Sequence, residues 1–329
     1  MTTPRATHPG SAPVSPFRRI PLDGTGPEDV VFDGLGRVLA GVADGRILRI
    51  ALPGSPGGHA QIQEIGRTGG RPLGLEVLPD GRLLVCDAER GLLCLDPDGG
   101  QDVEVLADTV AGAPLRFCSN AVAASDGTVL FTVSSCRYGL DDWLSDIVEH
   151  RPTGLLVRLA PGGEPEVLLD GLQFANGVAL APDESYAVVA ETGARRLTRR
   201  WLTGPEAGRH DTFADRLPGY PDNISRSPRG GLWVALAAPR TPLLERLHRT
   251  GPSVRRVAAA GVRRLPAPPP RAAQAVEIDS YGRVACEVRG AGRRYRMATS
   301  VAERDGRLVL GSLAEDAIAW CELGVPGTA

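Results

Sequence analysis

A tight turn followed by an apolar strand recurs six times along this chain of 329 residues, and no other feature limits its possible folds as strongly. The turns are marked by Gly36, Gly81, Gly127, Glu184, Gly230 and Gly306. Successive markers are 45, 46, 57, 46 and 76 residues apart, and the shortest spacings match the size of a four-stranded propeller blade. The chain is therefore predicted to be all-β, a six-bladed β-propeller with a helical or loop insertion, in which ring closure removes the open sheet edges.

The two long spacings predict two insertions within one domain. We place the propeller at residues 21–325 and the insertions at residues 136–154 and 237–276, after a flexible N-terminal leader at residues 1–20. Glycine and proline together make 69 of the 329 residues, which fits a chain that turns often. The leader lacks a secretory apolar run, and no segment approaches the roughly 18 apolar residues that span a bilayer, so we expect a cytoplasmic protein.

The composition excludes several classes of function. All 37 basic residues are arginine, so the chain has no lysine for a Schiff base or for a phosphate-binding loop. The formal net charge of −2 also argues against a nucleic-acid-binding protein, which usually carries a large basic surplus. The expected partner is a small molecule, and the oligomeric state is left open.

Polar residues recur at one position of the repeat, eight residues before each marker. The residues there are Glu28, Leu73, Ser119, Asn176, Asp222 and Ala298, and Asn120 follows directly after Ser119. This position is the predicted start of the innermost strand, where carboxylates and amides need partners. Asp and Asn at strand ends are often turn residues that bond their own backbone. Their recurrence instead favours a Ca²⁺ ion, or another divalent cation, bound by Glu28, Asn120, Asn176 and Asp222.

The insertions are expected to shape a pocket at one face. The first carries Tyr138, Trp143 and His150, which we take as substrate-binding candidates. The second has leucines at helical spacing together with many arginines, and a proline-rich stop after them. It is either a lid or a contact for an anionic surface, or an amphipathic helix packed on the propeller with a solvated arginine face. The last interpretation is favoured.

Several segments resemble one known superfamily. They are RFCSNAVAASDGTVLFTVSS at 116–135, GLQFANGVALAPDESYAVVAET at 171–192 and LPGYPDNISRSPRGGLWVAL at 217–236. The chain is similar to the calcium-dependent six-bladed propellers that include the gluconolactonases (regucalcin), the paraoxonases and the strictosidine synthase-like proteins, and most to the last branch. The resemblance implies that Glu28, Asn120, Asn176 and Asp222 match the metal-binding positions of the superfamily.

The chain also departs from its presumed relatives. The resemblance places Thr299 where strictosidine synthases carry a catalytic glutamate, and Leu73 near the channel histidine of paraoxonases, so neither mechanism is expected here. Both residues are retained as substrate-binding candidates.

The gluconolactonase-like pattern of a metal and a carboxylate remains. It predicts hydrolysis of a lactone or related ester, with a channel cation as Lewis acid and Asp222 as catalytic general base. The alternatives are a metal-assisted biosynthetic cyclase or isomerase, and a non-catalytic propeller that binds a partner.

Overall fold

The computed structural model describes residues 10–11, 14–54, 58–100, 102–263, 270, 274–290 and 295–324. Most of the predicted leader, part of the second insertion and the last predicted residue of the domain lie outside the described residues. Within them, strands dominate and three α-helices occur, all in the two insertions.

The strands form six blades of four antiparallel strands each, and the short strand Gly10–Ser11 pairs in parallel with the outer strand of the fifth blade. Before the first sheet come β1 (Gly10–Ser11) and β2 (Arg18–Pro21). Blade 1 contains β3 (Val30–Phe32), β4 (Val38–Gly41), β5 (Arg46–Ala51) and β6 (Gln61–Arg67). Blade 2 contains β7 (Pro72–Val77), β8 (Leu83–Asp87), β9 (Gly91–Leu95) and β10 (Val103–Ala107). A small hairpin follows, β11 (Thr109–Val110) and β12 (Ala113–Pro114).

The other four blades continue the pattern. Blade 3 contains β13 (Cys118–Ala123), β14 (Val129–Val133), β15 (Gly154–Leu159) and β16 (Glu166–Leu172). Blade 4 contains β17 (Ala175–Leu180), β18 (Tyr186–Glu191), β19 (Arg196–Trp201) and β20 (His210–Ala214). Blade 5 contains β21 (Gly219–Arg226), β22 (Leu232–Pro239), β23 (Gln274–Ile278) and β24 (Val284–Arg289). Blade 6 contains β25 (Ala298–Arg304), β26 (Arg307–Ser312), β27 (Ala317–Glu322) and, as its outer strand, β2.

The ring closes as predicted for a six-bladed propeller. The inner strands contact one another in the order β3, β7, β13, β17, β21 and β25, and β25 returns to β3. The last blade is completed by β2, which pairs antiparallel with β27. The end of the segment that we expected to be a leader, from Arg18 onward, is therefore a propeller strand, and its pairing supplies the outer edge of the last blade.

The turn markers found in the sequence all lie between the first and second strands of a blade. All six have a positive φ, from 56° at Glu184 to 90° at Gly81. Glycine adopts this left-handed conformation without steric cost, whereas an L side chain does so less readily. At Glu184 the conformation is accompanied by two hydrogen bonds from Ser125 to the carboxylate, at 2.8 Å and 2.9 Å.

The core is divided among the interfaces between blades. Six apolar clusters of the described residues each join two neighbouring blades, and Phe131 and Trp233 are fully buried in two of them. Burial of one large apolar side chain stabilises a fold by about 1.5–3 kcal/mol. The alternating pattern of each strand therefore holds the blades to one another.

The two insertions fold into helices that pack together. The first contains a 3₁₀ turn (Leu140–Asp142) and α1 (Trp143–Glu149), and the second contains α2 (Pro242–His248) and α3 (Pro252–Val262). The single helix expected in the second insertion is thus two, separated around Gly251 and Pro252, because proline fits the first turn of a helix and not its interior.

These helices form one cap, which we define as α1, α2 and α3. The Ser145 hydroxyl of α1 donates to the Ala259 carbonyl of α3 at 3.3 Å, and Arg263 pairs with Asp142 at 2.7 Å. The second insertion therefore packs on the first. No helix among the described residues is long and apolar enough to cross a bilayer.

Candidate active site

Irregular strand pairing places the polar residues on the channel axis. In blades 3, 4 and 5 the register between the first and second strands shifts at the polar positions, between Cys118 and Ala121, Ala175 and Val178, and Pro221 and Ile224. A β-bulge redirects the side chains of the bulged strand. The bulges explain why the polar residues at 119–120, 176 and 222–223 interrupt otherwise apolar strands.

Four polar side chains from three blades make up what we call the polar ring: Glu28, Asn176, Asp222 and Asn223. Each is 5% exposed or less. The Asn223 amide donates to Glu28 Oε1 at 3.0 Å, while Asn176 Oδ1 accepts a hydrogen bond from the Ser119 hydroxyl at 3.1 Å. The ring thus joins blades 1 and 5 directly and blades 3 and 4 through Ser119.

Three oxygens of the polar ring are buried without a hydrogen-bond donor among the described residues. They are Glu28 Oε2, Asp222 Oδ1 and Asn223 Oδ1. Each buried polar atom left without a partner costs about 1–3 kcal/mol, more where it is charged. All three are acceptors, so the missing partner is a donor or a cation.

The electrostatics of the polar ring also indicate a missing donor or cation. Burial raises the pKa of Glu28 well above its usual value, and the neighbouring charges of Asp222 and Asp29 raise it further. Burial likewise raises the pKa of Asp222, with Asp29 adding to the effect. The cationic side chain that lowers the pKa of Glu28 is Arg71, whose guanidinium hydrogens go to the carbonyls of Pro72 and Gly26.

A divalent cation fits this donor set. Two carboxylates and two amides provide oxygen ligands of the kind that Ca²⁺ prefers, and a positive charge would lower the pKa values of both carboxylates. Among the described residues, no cluster of three or more His, Cys, Asp or Glu side chains is arranged to hold a metal. The amides of Asn176 and Asn223 therefore have to contribute to any such site.

Asn120, the fourth ligand predicted from the sequence, has its amide engaged elsewhere. Its Oδ1 accepts the Val178 N–H at 3.1 Å, and its Nδ2 donates to Asp29 Oδ2 at 3.2 Å. Asp29 also accepts the Leu75 N–H at 2.8 Å and bonds to the Ser300 hydroxyl. Asn120 thus connects neighbouring inner strands, and its role as a metal ligand stays a prediction.

An apolar cluster contains two of the predicted substrate-binding residues. Leu73 is buried with Ala88, Phe117, Ile147 and Phe174, and the partly buried Leu140, Trp143 and Leu244 pack against them. The rings of Phe117 and Phe174 meet edge to face at 5.3 Å. Because Leu73 occupies the repeat position that Glu28 and Asp222 occupy in their blades, this cluster adjoins the polar ring.

The remaining substrate-binding candidates, Thr299, Tyr138 and His150, have three different sets of neighbours. The Thr299 hydroxyl donates to the Glu28 carbonyl at 2.6 Å, so it fixes the backbone that carries a ring carboxylate. Tyr138 donates to the Glu149 carboxylate at 2.5 Å in the cap. The ring of His150 stacks on that of His248 at 3.8 Å, and burial lowers the pKa of His150 to about 4. None of these three side chains belongs to the apolar cluster.

The sequence analysis missed Asn223 as a member of the ring and Asp29 as its neighbour. Each directly follows a residue that was identified, in the pairs Glu28–Asp29 and Asp222–Asn223. A strict period of two along a strand assigns adjacent residues to opposite faces, so only one of each pair was expected on the axis. Two adjacent residues with carboxylate or amide side chains occur in both pairs, and this recurrence was the signal in the sequence that could have indicated a bulge.

Comparisons with known proteins identify the family of this chain. The sequence profile of the strictosidine synthase family matches residues 120–205, and that of the strictosidine synthase-like N-terminal region matches residues 15–50. Strictosidine synthase-like protein 10 of Arabidopsis thaliana is 34% identical over 88% of this chain and 83% of its own length. The chain belongs to the strictosidine synthase-like family.

Another relative matches over a shorter length. The adipocyte plasma membrane-associated protein of Rattus norvegicus is 38% identical over 65% of this chain, and the match spans 60% of that protein. Among solved structures, a gluconolactonase from Xanthomonas campestris has a TM-score of 0.65 at 18% identity, covering 94% of this chain and 89% of its own.

Regucalcin from Agrobacterium tumefaciens, described as a calcium-binding protein, has a TM-score of 0.62 at 15% identity, covering 95% of this chain and 96% of its own. These two structural likenesses show that the strictosidine synthase-like chain shares the gluconolactonase type of propeller fold.

Proposed function

We propose that this protein is a metal-dependent hydrolase of a lactone or a related ester, acting in the central channel. The observation that carries the proposal is the set of three buried acceptor oxygens on Glu28, Asp222 and Asn223 that have no donor within the described residues. Burying three such oxygens without partners lowers the stability of the folded protein, unless a cation binds there or the reaction uses them.

The polar ring would hold the cation. Glu28, Asn176, Asp222 and Asn223 supply its oxygen ligands, and Asn120 would join only by exchanging its hydrogen bonds to Val178 and Asp29. When bound, Ca²⁺ or another divalent cation supplies Lewis-acid activation of a carbonyl oxygen and lowers the pKa of water.

Asp222 is the general base of the proposal. Its Oδ1 is buried and has no donor among the residues that the structure describes, so it can accept a proton from a water molecule. The water oxygen bonds to the carbonyl carbon, the ring C–O bond of the lactone breaks, and the proton passes from Asp222 to the departing alkoxide oxygen. Burial and the charge of Asp29 raise the pKa of Asp222, hydrogen bonding from Asn176 only partly offsets them, and the bound cation would favour the ionised, proton-accepting form.

The apolar cluster would receive the carbon skeleton of the substrate. Phe117, Phe174 and Trp143 supply its aromatic side chains, and they pack with Leu73. Apolar walls with a few convergent polar groups are typical of small-molecule sites.

The direct test combines metal analysis with a lactone and ester panel, run with Ca²⁺ and with EDTA. We expect turnover that EDTA abolishes, and a loss of about 10²–10⁴-fold in kcat for Asp222→Asn. Asp98→Asn, at a carboxylate that is 75% exposed, is the matched control and should keep full activity. Unchanged activity of Asp222→Asn would contradict the base assignment.

Two other outcomes would replace the proposal. A product of the same mass as the substrate indicates an isomerase or cyclase, because hydrolysis adds the mass of one water. No turnover on the panel, combined with a tightly held metal whose removal unfolds the protein, indicates a non-catalytic binding propeller.

A further inference from the structure

An arginine-lined cleft of about 790 Å³ lies between the cap and the rims of blades 4 and 5. Its walls include Arg195, Arg216, Arg240, Arg249, Glu245 and Tyr220. The arginines come from the loops that follow β18 and β20 and from both ends of α2, so the cleft exists only when the second insertion is folded against the propeller.

The cleft has an excess of positive charge. Glu245 pairs with Arg195 at 2.9 Å and with Arg240 at 2.6 Å, and the charge of Arg249 acts on it as well. Hydrogen bonding from Arg240, followed by these charges, lowers the pKa of Glu245, which is therefore ionised at neutral pH. Three guanidinium groups share one carboxylate, which leaves two positive charges available to a ligand. Arg216 has its own nearby partner, Asp215, at 3.7 Å.

The histidines in the wall leave this charge unchanged. His150 and His248 stack on each other, and burial lowers the pKa values of both. His248 donates from Nε2 to the Ile147 carbonyl at 2.8 Å, as a neutral ring does. Both rings are therefore neutral near pH 7, and the positive charge of the cleft comes from arginine alone.

The floor of the cleft is directly joined to the polar ring. Tyr220 lines the cleft, and its buried hydroxyl lacks a well-aligned hydrogen-bond partner among the described residues. Asp222 lies two residues further along the same strand. A second link is Thr192, next to Gly193 of the cleft wall: its hydroxyl donates to the Pro221 carbonyl at 2.7 Å and accepts from Asn176 at 3.4 Å.

We propose that this cleft binds a carboxylate carried by the substrate, so that the substrate class is a lactone or ester with an anionic group at its far end. The inference rests on the proposed hydrolase function and adds the charge of the substrate to it. Guanidinium groups bind carboxylates through paired, charge-assisted hydrogen bonds, and Arg240 shows this geometry with Glu245 through Nε and Nη2.

The test compares two substrates that differ only in charge, 5-oxotetrahydrofuran-2-carboxylate and its carboxamide. With Ca²⁺-loaded protein we expect kcat/KM to favour the carboxylate by about tenfold, the range of a hydrogen bond to a charged group. Arg249→Gln and Arg240→Gln should each reduce this ratio, and the double variant should bring it close to one. Arg209→Gln, at an arginine that is 74% exposed and paired with Glu206, is the control and should keep the ratio. Equal kcat/KM values in the unmodified protein, or an unchanged ratio in the double variant, would overturn the inference.

A binding measurement separates this inference from the proposed function. If neither lactone is hydrolysed, the hydrolase proposal fails, and binding of tetrahydrofuran-2-carboxylate and its carboxamide is then measured by calorimetry. Preference for the carboxylate that is lost in the double variant supports a carboxylate site. Absence of any preference rejects it.

Discussion

The side-chain amide of Asn223 donates a hydrogen bond to Glu28 Oε1 at 3.0 Å, although the two residues are 195 positions apart in the chain and lie in blades 5 and 1. The bond holds one carboxylate oxygen, while Glu28 Oε2 and Asn223 Oδ1 have no donor in the part of the chain that the structure describes. One contact thus fixes the geometry of the ring and keeps acceptors free for a cation.

Replacement of Asn223 by alanine should damage both stability and metal binding. Glu28 Oε1 loses its donor, which costs about 1–3 kcal/mol in the free energy of unfolding, and the ring loses one oxygen ligand. We expect Ca²⁺ affinity, measured by calorimetry, to fall at least about tenfold. The exposed Gln63→Ala is the control, and equal Ca²⁺ affinity in both variants would show that Asn223 is not a ligand.

Removal of metal should lower the melting temperature in proportion to the occupancy of the ring. A ligand at one hundred times its dissociation constant stabilises the folded state by about 2.7 kcal/mol. EDTA should therefore lower the Tm of the unmodified protein, as followed by circular dichroism. The same treatment should shift the Tm of Asp222→Asn much less, because that variant has lost a charged ligand. Equal shifts in the two proteins would place the stabilising metal elsewhere.

Gly177 lies where two inner strands approach each other next to the ring. A Cβ atom at this position would stand 2.3 Å from the backbone nitrogen of Ile224. Gly177→Ala should push blades 4 and 5 apart and destabilise the protein by about 1–3 kcal/mol in chemical denaturation, with weaker Ca²⁺ binding. The control is Gly139→Ala, since a Cβ atom there meets nothing within 4 Å. A stability equal to that of the control would mean that the strands can separate freely.

Asp146 gives the cap a defined pH dependence. Burial raises its pKa to about 6, although the hydroxyls of Ser135 and Thr153 partly offset the effect. The folded state thus holds the proton more tightly than the unfolded chain, whose value is near 3.8. The contribution of Asp146 to stability is therefore fully present below about pH 4 and is lost as the pH rises to about 6, by about 1–3 kcal/mol.

Asp146→Asn removes this titration. The unfolding free energy of the unmodified protein minus that of the variant, measured by urea denaturation from pH 4 to pH 7, should therefore decline as the pH rises and level off above about pH 6. The matched Asp126→Asn, at an exposed carboxyl whose pKa is lowered by the Thr128 backbone, should show no such decline. A constant difference for Asp146→Asn would contradict the raised pKa.

The sequence predicted the fold more completely than the site. Its six turn markers gave the number of blades and their order, because each blade is built from neighbouring segments of chain. The same repeat identified Glu28, Asn176 and Asp222 as equivalent positions, and all three are buried in the ring. Asn120 lies one residue after the equivalent position in blade 3, and its amide bonds to Val178 and Asp29.

The positions of the side chains in and around the cap could not be predicted from the local sequence pattern. Trp143 lies against the apolar cluster, whereas Tyr138, five residues earlier, bonds to Glu149, and His150 lies in the arginine-lined cleft. The sequence placed all three at one pocket. Their separation depends on how α1 meets α2 and α3, which come from an insertion about a hundred residues later.

The sequence by itself determined the propeller, its blade count and the register of the polar positions, because these follow from a local repeat of turns and alternating strands. Only the tertiary structure decided that Asn223 reaches Glu28, that Asn120 connects strands and that two distant insertions enclose an arginine-lined cleft. Those relationships arise from closure of the ring and from β-bulges, which bring together side chains that no spacing along the chain relates.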